Sequence, residues 1–169
     1  YPVFVDIDPV TFNIDPGQIE KKITSKTKAI FVLHYAGMAA NMDPILELAE
    51  KHNLYVIEDA AHSLGSEYKG RKIGTLGDIT VFSFGPMKAI TTAMGGMMVC
   101  KEKDNDRKVR ILRSYGMDAS VRERSNAEKP WSYKVNDLGH NFRMTDVSAA
   151  MGVVQLKKLD SFVSTRREL

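Results

Sequence analysis

Cysteine is almost missing from this sequence. Cys100 is the only one among 169 residues, so no internal disulfide can form, and a reducing, cytoplasmic setting suits the chain. Its place in an apolar run makes Cys100 read as a small buried hydrophobe. Long apolar stretches are missing as well. None approaches the roughly 18 residues of a membrane-spanning helix, and the opening YPVFVD reads as a strand, not a signal peptide. Neither sign of charge dominates: 24 Lys and Arg against 21 Asp and Glu leave a net charge of +3, which argues against a nucleic-acid or anionic-membrane partner. No predicted strand leads into G-x-G-x-x-G, so a nicotinamide-binding domain is a poor reading. Internal repeats and low-complexity tracts are lacking too. There is no methionine at the start and no helix-stop signal at the end, so the sequence reads as the middle of a longer chain.

What remains is the composition of an ordinary globular domain, 43% hydrophobic and 27% charged, arranged as short apolar runs separated by helical patterns. Residues 3–7 (VFVDI), 28–34 (KAIFVLH) and 54–58 (LYVIE) predict strands. Between them, residues 17–23 predict a helix opened by Asp15-Pro16, and a second, amphipathic helix starts at Asn41-Met-Asp-Pro44 with Ile45, Leu46, Leu48 and Ala49 inward. Apolar runs without polar alternation predict a parallel sheet covered on both faces, hence a three-layer α/β/α fold. Residues 67–74 suggest a short hairpin, and Gly74-Thr-Leu-Gly77-Asp78 a tight turn feeding a further strand. Residues 103–115 predict a helix with Val109, Ile111 and Leu112 inward. Residues 117–137 predict a long surface loop holding Trp131. From Thr145 onward one long helix is expected, with Ala149, Val153, Leu156 and Leu159 along one face.

The chemistry is placed in residues 83–96. An apolar strand (Ile79, Val81, Phe82, Phe84) turns at Gly85-Pro86, presents Lys88, and returns through Gly95-Gly96 to a second apolar strand, residues 97–100. A lysine framed in this way could form a Schiff base with a carbonyl cofactor, although a lysine in a loop is ordinarily just solvated. Asp59, at the tip of a neighbouring strand, could lie under the ring nitrogen of a pyridine cofactor and keep it protonated, or could simply be the N-cap of a helix from Ala60 onward. His62 could lie against the ring, bond the Asp59 carboxylate, or be a satisfied turn residue. Ser83 is either a strand hydroxyl or a phosphate ligand.

Motif order along the whole chain carries a resemblance. Asp6-Ile-Asp-Pro9, Asn13-Ile-Asp-Pro16, His34-Tyr-Ala-Gly37 and Asn41-Met-Asp43 are followed by Asp59-Ala-Ala-His62, Gly74-x-x-Gly-Asp78, Phe82-Ser-Phe and Pro86-x-Lys88-x-Ile-Thr-Thr. Gly95-Gly96 and the run from Leu138 to Asp146 (LGHNFRMTD) complete the series. This series resembles the DegT/StrS-type nucleotide-sugar aminotransferases, pyridoxal-phosphate enzymes of aspartate-aminotransferase fold. The resemblance implies transfer of an amino group from an amino-acid donor, glutamate by expectation, to a keto-sugar carried on a nucleotide. It implies pyridoxal 5'-phosphate bound through Lys88, Asp59 at the pyridine nitrogen, His62 packed on the ring, Ser83 at the phosphate, and Asn141 reaching the partner's phosphate across a homodimer. It further implies that residues 1–169 are part of the large cofactor-binding domain, without its N-terminal portion and without the C-terminal small domain.

The sequence departs from the family pattern at Gly85, where an aromatic or His is usual, and at Met94, where an acidic residue is usual. Two other readings stand beside transamination. Dehydratase-type relatives use the same cup but place a histidine at the position of Lys88, and a non-catalytic α/β binding module could use the same scaffold.

Overall fold

The computed structural model describes residues 1–118, 123, 125, 126 and 128–169. They fall into two compact units, residues 1–99 with 146–169 and residues 100–145.

The first unit is built on a mixed, mostly parallel sheet of four strands, β1 (Ala29–Leu33), β2 (Tyr55–Asp59), β3 (Ile79–Ser83) and β4 (Gly96–Cys100), in that spatial order. β1 pairs parallel with β2, Leu33 opposite Asp59, and β2 pairs parallel with the strand from Ile79, Asp59 opposite Val81. The chain crosses from β1 to β2 through helix α1 (Met42–His52). Met42, Ile45 and Ala49 of α1 are buried. With Ile30 and Val32 of β1, Val56 of β2 and Phe82 of β3, they supply much of the buried apolar core. At about 25 cal/mol per Å² of apolar surface, each of these side chains other than Ala49 contributes roughly 1.5–3 kcal/mol by leaving water. Asn53 ends α1 in the left-handed conformation, at φ 52°, which asparagine tolerates better than most residues.

Several expectations are corrected. Residues 3–7 form no strand beyond an isolated bridge from Ile7 to Ile14, and Val3 and Phe4 are exposed. An apolar run becomes a strand only where a neighbouring backbone completes its hydrogen bonds. The helix expected at 17–23 is two short 3-10 turns, Pro16–Gln18 and Glu20–Lys22, although Asp15 does cap the first by accepting from the Gly17 N–H at 2.9 Å. The α/β fold class stands as expected; on the sheet face opposite α1, Phe31 and Tyr55 are each 60% exposed, while Ile57 and Val81 are half-buried. The C-terminal helix is two helices, α3 (Asp146–Leu156) and α4 (Leu159–Glu168), interrupted at Lys157-Lys158.

The face expected of that helix is also wrong. Val153 and Leu156 are exposed, whereas Leu159 and Val163 lie against Gly65, and Gly152 lies against Thr92. Apolar residues occupy nearly every side of α3, so periodicity has no polar face by which to orient it. The hairpin is present as Glu67–Tyr68 paired antiparallel with Arg71–Lys72 across a left-handed Lys69-Gly70 turn. An ion pair from Lys72 to Glu67 at 2.7 Å spans it.

The second unit, taken by itself, holds helix α2 (Lys103–Leu112), three residues shorter than expected, with Val109, Ile111 and Leu112 half-buried. Cys100, at the end of β4, is half-buried rather than buried; partial desolvation, with the nearby Asp106 carboxylate, pushes its thiol up from the ordinary value. The stretch read as a loop, 117–137, contains a bridge between Met117 and Val135, and the Asp118 carboxylate accepts from the Lys134 N–H at 3.1 Å. Residues 119–122, 124 and 127 of that stretch lie outside the described residues.

Candidate active site

The register of the parallel strands decides which side chains share a face. Side chains alternate along a strand, and residues directly opposite one another project to the same side. Asp59 therefore shares a face with Val81, and so with Ser83 two residues further on. Both lie at the carboxyl ends of adjacent strands, where open α/β sheets hold their ligands. Their face is the one on which Phe31 and Tyr55 are exposed, and Asp59 and Ser83 are themselves half-buried.

Asp59 is half-buried, and its carboxylate accepts from the Ala61 N–H at 3.0 Å, the first hydrogen bond of the turn that follows β2. The helix expected from Ala60 onward, with Asp59 as its N-cap, is not formed: turns follow β2 instead, and the carboxylate caps the first of them. A single backbone donor leaves most of the carboxylate's lone pairs free for a further partner. His62 is exposed, with its ring edge-on to Tyr35 at 6.4 Å between centroids. Ser83 is half-buried, and its hydroxyl has only a long contact with the Gly85 N–H, at 3.5 Å.

Lys88 lies in the loop between β3 and β4. That loop closes on Phe84, whose N–H donates to the Gly95 carbonyl and whose carbonyl accepts from the Thr92 N–H, each at 2.9 Å. Ile90 and Thr92 anchor it, 3% and 1% exposed. From α4, the Arg166 guanidinium donates to the Ala89 carbonyl, next to the lysine, at 3.2 Å. The loop is thus fixed on both sides of Lys88 while the lysine is half-buried, and its ammonium has no polar partner among the described residues. Where the loop re-enters the sheet, a Cβ on Gly96 would lie 2.6 Å from the Phe82 carbonyl oxygen. Only glycine allows that approach.

Behind this face, and missed by the sequence reading as a working group, is a fully buried pair. His34 Nε2 and Glu58 Oε2 are 2.9 Å apart, both with side chains 0% exposed. Glu58 Oε1 also accepts from the Gly77 N–H at 2.7 Å and the Thr80 hydroxyl at 2.8 Å. Burial pushes the Glu58 carboxyl upward, but the donors from His34, Gly77 and Thr80 outweigh it and hold the group below the ordinary glutamate range. The clue in the sequence was Glu58 inside an apolar run. Its partner could not be read until the strands were paired.

Asn141 belongs to the other unit. There it is exposed, bridges to Ser114, and its side-chain oxygen accepts from Arg143 Nε at 3.1 Å.

Sheet order and strand pairing define an α/β protein, and they bring the strand-tip acid and the loop lysine to the carboxyl edge of a mostly parallel sheet. The chain belongs to the DegT/DnrJ/EryC1/StrS aminotransferase family, whose model matches residues 1–169. It is 48% identical over 168 residues to "Uncharacterized protein MJ1066" of Methanocaldococcus jannaschii, covering 99% of this chain and 44% of that protein. It is 45% identical over 168 residues to the GDP-perosamine synthase of Caulobacter vibrioides, covering 99% and 43%. Among solved structures, the putative sugar aminotransferase Spr1654 of Streptococcus pneumoniae in its PMP form superposes with a TM-score of 0.90 at 30% identity, covering 99% of this chain and 47% of that one. The chain thus spans somewhat under half the length of the relatives it matches.

Proposed function

We propose that this chain is the central part of a pyridoxal-phosphate-dependent aminotransferase that moves an amino group from an amino acid, glutamate by preference, to a keto-sugar carried on a nucleotide. The reading is carried by one observation: Asp59 and Ser83 share one sheet face at adjacent strand tips, and the loop leaving Ser83 brings Lys88 to the same edge. The names of the relatives support the sugar substrate, and the PMP form of Spr1654 supports the cofactor.

The residues present fit that cofactor. Among the described residues, a carboxylate with one backbone donor suits a protonated ring nitrogen, a hydroxyl held only by a 3.5 Å contact suits a phosphate oxygen, and a lysine with no polar partner in a tethered loop suits a carbonyl. Once bound, the cofactor supplies an electron sink for the carbon from which a proton is removed. In this reading Asp59 holds a proton on the ring nitrogen by its charge. His62 packs on the ring and keeps water from that side. Ser83 donates to the phosphate, with Asn141 of a second copy joining it in a homodimer. Lys88 would hold the cofactor through its carbonyl at rest, and its amine, when neutral and released, would be placed to accept and return a proton. Such a reaction on nucleotide sugars fits a cytoplasmic enzyme of polysaccharide biosynthesis. Among the described residues no helix is long and apolar enough to cross a membrane.

The test is borohydride reduction of the full-length protein loaded with pyridoxal phosphate, followed by peptide mapping, with amino-sugar formation assayed in parallel. The pyridoxyl label is expected on Lys88. A label on any other lysine, or amino-sugar formation undiminished in Lys88→Ala, overturns the reading.

A further inference from the structure

His34 holds two consecutive residues of β2 at once. Its backbone N–H donates to the Asp59 carbonyl at 3.1 Å, while its ring meets the Glu58 carboxylate at 2.9 Å. The other ring nitrogen, Nδ1, accepts from the Ala40 N–H at 3.1 Å. That bond assigns the tautomer: Nδ1 is bare, so Nε2 carries the hydrogen and donates to Glu58. Glu58 in turn draws in the Gly77 N–H and the Thr80 hydroxyl. One carboxylate therefore ties the end of β1, the end of β2, the turn at Gly77 and the start of β3. Gly77 is glycine for a steric reason, since a Cβ there would lie 2.9 Å from the Val56 carbonyl oxygen and 3.0 Å from Glu58 Cγ. His34, Glu58, Gly77, Thr80 and Ala40 are all buried.

We propose that His34 and Glu58 are positioning residues for Asp59: the buried pair fixes the tip of β2 against β1 and β3 and so sets where the Asp59 carboxylate stands beneath the cofactor ring. The inference rests on the reading of Asp59 given above and deepens it. Alternation puts the Glu58 side chain on the α1 side and the Asp59 side chain on the open side, so Glu58 acts through the backbone it shares with Asp59 and does not touch the ring. The charge is required, not merely the shape. In Glu58→Gln the amide oxygen can face either His34 or the Gly77–Thr80 pair, and either choice sets the NH2 group against a buried N–H donor. Outer-shell partners of this kind typically command about 10- to 100-fold in affinity or activity at metal sites.

The experiment is a double-mutant cycle in the full-length protein, using Glu58→Gln and Asp59→Asn singly and together, with kcat and the dissociation constant of pyridoxal phosphate (equilibrium dialysis of the apoprotein) as readouts. Glu58→Gln is expected to lower kcat about 10-fold or more and to weaken cofactor binding in the native background. In the Asp59→Asn background it should change either quantity by less than about 2-fold, because interacting residues are non-additive. If Glu58→Gln does not fold, Thr80→Val, which removes one neutral donor to Glu58, runs the same cycle with a smaller loss in the same pattern. Equal factors in the two backgrounds would mean that the pair only supports the fold, and would overturn the proposal. If Asp59→Asn alone leaves kcat and cofactor affinity unchanged, the reading of the site fails and the proposal falls with it.

Discussion

Asp59 and Ser83 lie on one face of the sheet at the carboxyl ends of neighbouring strands, Ser83 two residues beyond the Val81 that pairs with Asp59. The spacing sets an acid and a hydroxyl apart by about the offset of two strand residues, roughly 6–7 Å along the strand, with the lysine loop leaving directly from Ser83. An elongated ligand with a basic group at one end and an anionic group at the other would meet complementary chemistry along that line.

Loss of Lys88 should separate binding from turnover. Lys88→Ala in the full-length protein is expected to retain pyridoxal phosphate without covalent attachment and to lose at least about 100-fold in amino transfer, the typical contribution of a positioned acid–base group. Asp59→Ala should keep the attachment at Lys88 and still lose most of the rate. Absorbance spectra before and after gel filtration in denaturant, beside steady-state assays, distinguish the two variants.

Glu58 makes stability depend on acid. Its folded value lies below the ordinary one, so the stabilisation is fully present above the unfolded glutamate pKa of about 4.3 and fades as pH falls through the lower folded value. Urea midpoints measured from pH 7 down to pH 3 should show this decline. Glu58→Ala should lower the unfolding free energy by about 3–5 kcal/mol at pH 7, because it strands His34, the Gly77 N–H and the Thr80 hydroxyl without an acceptor, and should flatten that dependence.

Gly77→Ala tests the turn directly. A methyl placed 2.9 Å from the Val56 carbonyl oxygen and 3.1 Å from Glu58 Oε1 forces either backbone or carboxylate to move. A destabilisation of about 1–3 kcal/mol is expected, as for other overpacked sites, read as a lowered thermal midpoint. An unchanged midpoint would show that the turn relaxes freely.

Asn141 is tested by assembly. Light scattering of the full-length protein should give a dimer, and Asn141→Ala should weaken cofactor binding without changing that mass. A monomer that persists on dilution removes Asn141 from the site.

The central strands were legible because runs such as 28–34 and 54–58 are apolar without interruption and are followed by turn residues; the boundaries in the structure differ by one residue. The hairpin was legible from its glycines. The helix break at Lys157-Lys158 was not, because neither residue is a helix breaker and the non-ideal backbone, ψ −4° at Lys158, has no local signature. The exposure of Phe31 and Tyr55 was not legible, because it depends on which other chain segments reach them. In the candidate site, the placement of Asp59 and Ser83 at neighbouring strand tips and of Lys88 in the loop that follows was legible, because it follows from strand direction. The His34–Glu58 pair was not, since residues 24 apart in sequence meet only through the register of β1 on β2.

Two acids stand side by side at 58 and 59, and the sheet sends them to opposite sides. Sliding β2 by one residue would drive Asp59 toward α1, where no donors are arranged for its shorter side chain, and would strip Glu58 of all three of its own. Such a slip exchanges every inward and outward side chain at once, and here it would also bury a carboxylate without compensation, which costs several kcal/mol or forces protonation. The adjacent acids therefore act as a parity check during folding: only one alignment of the strands satisfies both, and it is the alignment that leaves Asp59 facing outward.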